Sequence, residues 1–288
     1  MKDLIFGIGT RPNIIKLKAL TDAANAANIT YDIYDTHQHN DPEMCGDLYR
    51  FFSLPRPVTV PPEKHAYNIG VVIGDTDSTR NCAILFSQLG LPVAHVEAGG
   101  RCGKNIPEEV NRKIVDAIAT WNFCATERCT KNCGNAYFVG DVLRDMFLRY
   151  YQYGCNPPIQ RIALVTIHRQ ENTKSFEDVY GLLSDACTDY DLILFPVHPR
   201  IQGMSEFPRG VLPMRPQSYI STMYLLSVVD RVFTDSGGLQ REAYWAGVPT
   251  TLLRKETEWP ETLKPGNERD FGDGNAAVKI MDILKEAL

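Results

Sequence analysis

Along the chain, short runs of β-branched and large apolar residues alternate with longer stretches whose apolar positions recur every three or four residues. Residues 4–8, 29–34, 70–73 and 93–96 read as strands. Residues 13–27, 43–52, 79–89 and 107–119 read as helices, so the first half is a β-α series of the kind that builds a parallel sheet. Pro107 suits a first helical turn, where its missing N–H costs nothing, and Val110, Ile114 and Ile118 recur as a stripe expected to be buried. The opposite face of that helix is then left for chemistry.

A helix passing through Asp145 and Leu148 runs into the turn-rich stretch 150–158, which marks a domain boundary. Beyond it a second series begins, with strands at 162–165, 192–197, 232–234 and 250–253 and helices at 176–186 and 238–246. The amphipathic segment 276–288 closes the chain. The expected organisation is an α/β domain over 1–153, a second over 154–274 and a final helix over 275–288.

The length of 288 residues favours two compact units over one core, and 44% hydrophobic with 23% charged residues is ordinary for a globular protein. A formal net charge of −5 argues against nucleic acid or an anionic membrane as partner. No apolar run is long enough to span a bilayer, and the apolar start is too short for a signal peptide, so the reading is a cytoplasmic protein. Eight scattered cysteines fit reduced thiols. Cys124, Cys129 and Cys133 have spacings that match no zinc knuckle.

Four segments carry candidate chemistry. In Thr234-Asp235-Ser236-Gly237-Gly238-Leu239-Gln240-Arg241-Glu242 a strand ends in a glycine turn that opens a helix, a place for phosphate at Ser236, Gly237 and Gly238, with Glu242 set for ribose hydroxyls. The alternative is a plain turn capped by Asp235 or Ser236. Gly7-Ile8-Gly9-Thr10-Arg11-Pro12 repeats the arrangement, with Arg11 and Lys16 as cations for an anion.

Asp75, Glu97 and Glu108 form an acidic set, two of them at strand C-termini, where open parallel sheets bind ligands. Asp75 could instead cap a helix, and Glu108 could pair with Arg112 on a helix surface. His168 follows the first strand of the second series at the same kind of edge.

Taken together and in order, Gly-Thr-Arg-Pro, Gly-Asp-Thr, His-Val-Glu-Ala-Gly, Pro-Glu-Glu-x-Asn-Arg, Thr-x-His-Arg-x-Glu and Thr-Asp-Ser-Gly-Gly-x-Gln-x-Glu resemble the non-hydrolysing UDP-N-acetylglucosamine 2-epimerases nearly end to end. The resemblance implies a glycosyltransferase-B-type fold of two Rossmann-like domains facing a cleft, a final helix crossing back to the first domain, and a homodimer. It implies epimerisation of UDP-GlcNAc to UDP-ManNAc by UDP elimination and re-addition through a glycal. Asp75, Glu97, Glu108 and His168 then correspond to catalytic residues, and Arg11, Lys16, Ser236, Gly237, Gly238 and Glu242 to UDP-binding ones. No metal and no nicotinamide cofactor are expected.

The chain is shorter than the family norm, and it carries Asn13 where Glu is usual and Trp259 where Arg is usual. Gln38 and His39 match part of a region where bacterial members bind a second UDP-GlcNAc. A UDP-sugar glycosyltransferase or a weakened UDP-sugar-binding homologue are the rival readings.

Overall fold

A computed structural model of the chain describes residues 1–38, 46–104, 106–152, 161–264 and 268–288; His39 lies outside them. The chain divides into two units, Met1–Leu148 with Gly266–Leu288, and Arg149–Pro265.

In the first unit, six parallel strands take the order β2-β1-β3-β4-β5-β6: β1 Lys2–Ile8, β2 Tyr31–Asp35, β3 Tyr67–Ile73, β4 Val93–Ala98, β5 Trp121–Cys124 and β6 Ala136–Phe138. Helices α1 Arg11–Ala26, α2 Asp47–Phe51, α3 Asp77–Gln88, α4 Pro107–Ile118, α5 Glu127–Thr130 and α6 Val142–Tyr150 alternate with them. Leu4, Ile5, Phe6, Val71, Val72 and Ile73 are fully buried because helices cover both faces of the sheet, which is what continuous apolar runs require. The strand order reverses between β1 and β3.

The second unit holds β7 Ile162–Thr166, β8 Leu192–Pro196, β9 Val211–Met214, β10 Arg231–Thr234 and β11 Thr250–Leu252, parallel in the order β11-β10-β7-β8-β9. Its helices are α7 Phe176–Cys187, α8 Tyr219–Leu226 and α9 Gly237–Ala246, the last ending on Gly247 in the left-handed region (φ 72°). Here the order reverses between β7 and β10. Both sheets therefore have the Rossmann-like doubly wound form, with a switch point at the carboxyl ends of two central strands.

The first chain division falls at Leu148, slightly before the expected boundary, whose residues 153 and 154 lie outside the described ones. The second falls at Pro265, nine residues before the expected position. Physical packing explains the difference: a Cβ on Gly140 would sit 2.9 Å from the Phe271 carbonyl oxygen, and Asp141 donates its amide to that same oxygen. The segment 271–274 is thus fastened to the start of α6. Helix α10, Ala276–Glu286, follows in the first unit, with Lys285 Nζ on the carbonyl oxygen of Ala27 at 3.0 Å.

Helix α4 departs from its expected orientation. Val110 is 43% exposed and Ile114 and Ile118 are only half-buried, whereas Glu109, Asn111, Arg112, Val115 and Asp116 face inward. The apolar stripe is not the buried one. The inward face is polar because it serves the strand ends beside it.

Candidate active site

In the first unit the site grows from the β1/β3 switch point. Gly9 makes the first turn possible: a side chain there would collide with Thr36 and Ser78. Asn13 locks the turn. Its Oδ1 accepts from the Thr10 amide (3.1 Å) and hydroxyl (2.7 Å), and its Nδ2 donates to the Ile73 carbonyl at the end of β3 (2.9 Å). The residue that departs from the usual Glu thus ties two strand ends together.

Lys16, one turn further along α1, is buried and ion-paired with Glu97. Its ammonium, expected beside a diphosphate, meets a carboxylate at the end of β4. Glu97 itself has a φ of 73°, a conformation costly for a residue with a Cβ, which is the kind of backbone strain that functional sites retain. A Cβ on Gly74 would lie 3.6 Å from Glu97 Oε2, 3.8 Å from Asn13 Nδ2 and 3.9 Å from Lys16 Nζ. The ends of β1, β3 and β4 converge there.

Asp75 follows Gly74. It does not cap α3; Thr76 does, accepting the Thr79 amide at 3.3 Å. Its carboxylate takes the buried Arg112 guanidinium, and its carbonyl accepts from Asn111 Nδ2 at 3.0 Å. Arg112 also bonds Glu109 at 3.2 Å, so it is no surface partner of Glu108. Glu109 further accepts the Cys102 amide, and these bonds hold its carboxyl below the usual range against the opposing effect of burial. Glu108 stands half-buried in the first turn of α4, and Arg11 half-buried in the first turn of α1.

The second unit assembles its own set at the β7/β10 switch point. Asp235, fully buried, accepts from the amides of His168 (3.1 Å) and Arg169 (2.9 Å) and from Asn172 Nδ2 (3.0 Å), and lies 2.7 Å from His168 Nδ1. Burial alone would raise its pKa. The hydrogen bond and charge of His168, with the Arg169 amide and Asn172, outweigh that and bring it to about 2.

Ser236 caps α9 through the Leu239 amide (3.3 Å), as its alternative reading allowed. Because the hydroxyl accepts in that bond, its own proton stays available to a ligand oxygen.

Gly237 opens the helix. A Cβ there would lie 2.6 Å from Glu258 Oε1, so only glycine fits against that carboxylate. Glu258 is held by Arg254 at 2.8 Å, and Arg254 also donates to Gln240 Oε1 at 2.6 Å. Trp259 is buried under the Arg241 guanidinium, 4.0 Å above its ring, while Arg241 Nε donates to the Gly237 carbonyl at 3.1 Å. A guanidinium is therefore retained beside Trp259, supplied from the helix. Glu242 is buried in the second turn of α9.

Sequence reasoning gives no role to Arg254 or Glu258; Asn111 enters it only within a motif, and Arg112 only there and as a surface partner of Glu108. Their polarity alone resembles a surface loop and a solvated helix.

The sequence model of UDP-N-acetylglucosamine 2-epimerase matches residues 62–269, about seven-tenths of the chain. The chain belongs to that family. A UDP-N-acetylglucosamine 2-epimerase homolog of Methanococcus maripaludis is 29% identical, covering 96% of this chain and 98% of its own. That alignment runs over 351 positions against 288 residues, so the relative carries segments this chain lacks. The UDP-2,3-diacetamido-2,3-dideoxy-D-glucuronate 2-epimerase of Pseudomonas aeruginosa is 30% identical over 90% of this chain and 85% of that protein.

Among solved structures, the Methanocaldococcus jannaschii UDP-GlcNAc 2-epimerase in complex with UDP-GlcNAc and UDP superposes with a TM-score of 0.85 at 27% identity, covering 99% of this chain and 100% of that one. The fold is thus the glycosyltransferase-B-type α/β fold of two Rossmann-like units.

Proposed function

We propose that this family member epimerises C2 of a UDP-N-acetylhexosamine, converting UDP-GlcNAc to UDP-ManNAc. The observation that carries the reading is the pair of carboxylates at adjacent strand ends, Asp75 and Glu97, each held by its own buried cation, Arg112 and Lys16. Fixed, separately paired carboxylates suit proton removal and delivery at one carbon. The reaction needs both, since inversion means taking a proton from one face and returning it to the other.

In the forward step the C2–H bond breaks as its proton passes to a base, the C1–O bond breaks as UDP leaves with the electron pair, and a C1–C2 double bond forms. Re-addition of UDP after protonation on the opposite face completes the inversion. Asp75, Glu97 and Glu108 supply the acid and base groups. Ser236, Gly237, Gly238 and Arg11 hold the diphosphate, whose charge grows as it departs, and Glu242 holds the ribose. His168, oriented by Asp235, serves the leaving diphosphate. Lys16 acts on Glu97 by fixing its position and charge.

Incubation with UDP-GlcNAc in D2O, followed by NMR at sugar C2, tests the reading. Deuterium at C2 with appearance of the manno epimer is expected. Transfer to an acceptor sugar with release of free UDP would replace epimerisation by glycosyl transfer, and UDP binding without C2 exchange would reduce the chain to a binding protein.

A homodimer is part of the same proposal. It is supported by Val110, an apolar residue of α4 that is 43% exposed, with Ile114 half-buried beside it on the same stripe. Light scattering should give twice the chain mass; a monomer at working concentration counts against it. No helix among the described residues is long and apolar enough to cross a membrane. The free thiols of the described cysteines support a cytoplasmic site of action.

A further inference from the structure

Asp75 and Glu97 leave different strands, and the cations that pair with them come from different helices. One buried group ties both strand ends together from beneath. His95, two residues before Glu97 on β4, is fully buried. Its Nε2 lies 2.8 Å from the carbonyl oxygen of Gly74, the residue before Asp75, and its Nδ1 lies 2.8 Å from Asp116 Oδ1 on α4. Asp116 in turn accepts the amide of Gly99, two residues after Glu97, at 3.3 Å, and Arg101 at 2.6 Å. A single imidazole–carboxylate pair therefore grips the backbone just before one candidate acid–base residue and just after the other.

Donor and acceptor accounting fixes the state of the ring. A backbone carbonyl can only accept, so Nε2 carries a proton. Asp116 Oδ1 and Oδ2 both face the Gly99 amide at 3.3 Å, and Oδ2 takes the Arg101 guanidinium at 2.6 Å, so the carboxylate already sits among donors. Its oxygens are acceptors too, so Nδ1 also carries a proton. The other titratable groups in the field of Asp116 are Cys124 of β5 and Cys133 beyond α5, whose sulfurs lie 3.7 Å apart. Neither stands between Asp116 and the ring.

We propose that His95 is a buried imidazolium, paired with Asp116, that acts as a positioning residue holding Asp75 and Glu97 in register for proton transfer. A neutral ring would leave either the Gly74 carbonyl or the Asp116 carboxylate facing a bare nitrogen, and the strand ends would part. The link to catalysis rests on the epimerase reading; the protonation state does not.

Two measurements test it. In ring-15N NMR of the whole chain at the pH of the activity assay, both His95 nitrogens should report as protonated, each donating to the oxygen beside it. A neutral tautomer there overturns the proposal, whether or not the protein turns over UDP-GlcNAc. In folded His95→Gln and Asp116→Asn, kcat and C2 exchange should fall together by about tenfold to a hundredfold while UDP affinity stays at the parental value, since only the alignment of the carboxylates is lost. Parental kcat in folded His95→Gln overturns it as well. If both variants fail to fold, the ring spectrum of the parental chain decides. If the parental chain shows no C2 exchange at all, the epimerase reading fails, and the same spectrum still decides the state of His95.

Discussion

His168 Nδ1 lies 2.7 Å from Asp235 Oδ1, across the boundary between β7 and β10 where the second sheet reverses its strand order. The contact orients the imidazole at the carboxyl edge of the sheet, with Nδ1 engaged and Nε2 left to meet a ligand. It also explains the Asp in Thr-Asp-Ser-Gly-Gly: a carboxylate with four donors around it builds the loop that carries His168.

Asp235→Asn should therefore act on stability and turnover together. Its carboxyl is lowered from 3.8 to about 2, so the stabilisation is complete above the unfolded value and is lost as pH falls through about 2. A shift of that size corresponds to about 2.5 kcal/mol, and the variant should be less stable by about that amount at neutral pH. Chemical denaturation at pH 7 measures it. An unchanged unfolding midpoint would mean that the donors around Asp235 contribute nothing.

Glu97→Gln keeps the shape of the side chain and removes its capacity to take a proton. Turnover should fall by about a hundredfold or more with UDP affinity unchanged. Arg11→Ala and Ser236→Ala should show the reverse separation, with weaker UDP binding and less effect on the chemistry of bound substrate; Ser236→Ala also loses a helix cap worth about 1 kcal/mol. Calorimetric UDP titration alongside single-turnover C2 exchange distinguishes the two classes. Parental exchange in Glu97→Gln would remove Glu97 from the reaction.

Gly237→Ala introduces one carbon 2.6 Å from a carboxylate oxygen that cannot swing away, because Arg254 holds Glu258 and both side chains are buried. Alanine is the better helix former, so any loss comes from that approach alone. UDP affinity should drop by about tenfold as the helix N-terminus is pushed from its place. Parental affinity would show that the nucleotide does not use the Gly237 turn.

The strand ends were legible because the runs leading to them are uniformly apolar: residues 70–73 and 93–96 could only be buried strands, which puts Asp75 and Glu97 at a ligand edge. What sequence could not show were partnerships over long separations. Asn13 finds Ile73 60 residues away, and Asp75 finds Arg112 37 residues away, and nothing local announces either.

Helix α4 was misoriented for a related reason. Periodicity counts apolar residues, but here the face bearing Asn111, Arg112 and Asp116 is drawn inward by Asp75, His95 and Gly99. The sequence reading also lacks strands β5, β6 and β9. Strand β5 is only four residues long, between β4 and β6; β6 and β9 are short edge strands, and β9 contains Pro213, which removes a ladder donor and is tolerated only at such an edge.

The last relationship to test fastens the end of the chain to the first unit. Asp145 on α6 accepts the amides of Ala276 (3.1 Å) and Ala277 (2.8 Å), and so caps the N-terminus of α10. Burial raises its pKa to about 6, with Asp141 and Asp273 adding to the shift and the two amides opposing it. A folded value above the unfolded 3.8 means the native state binds this proton more tightly, so stability from Asp145 is greatest below about 3.8 and falls as pH rises to about 6.

The full shift corresponds to about 3 kcal/mol, and solvent at the partly exposed carboxyl reduces this to about 1–2 kcal/mol. Asp145→Asn cannot titrate and loses one acceptor, so it should carry a fixed cost from the weakened cap. Against the parental chain, the variant should look worse near pH 4.5 than near pH 7.5, by about 1 kcal/mol or more. Denaturant unfolding of both proteins at the two pH values gives the comparison directly. A gap that is equal at both, or larger at the higher pH, would show that the carboxyl capping α10 does not titrate as its surroundings require.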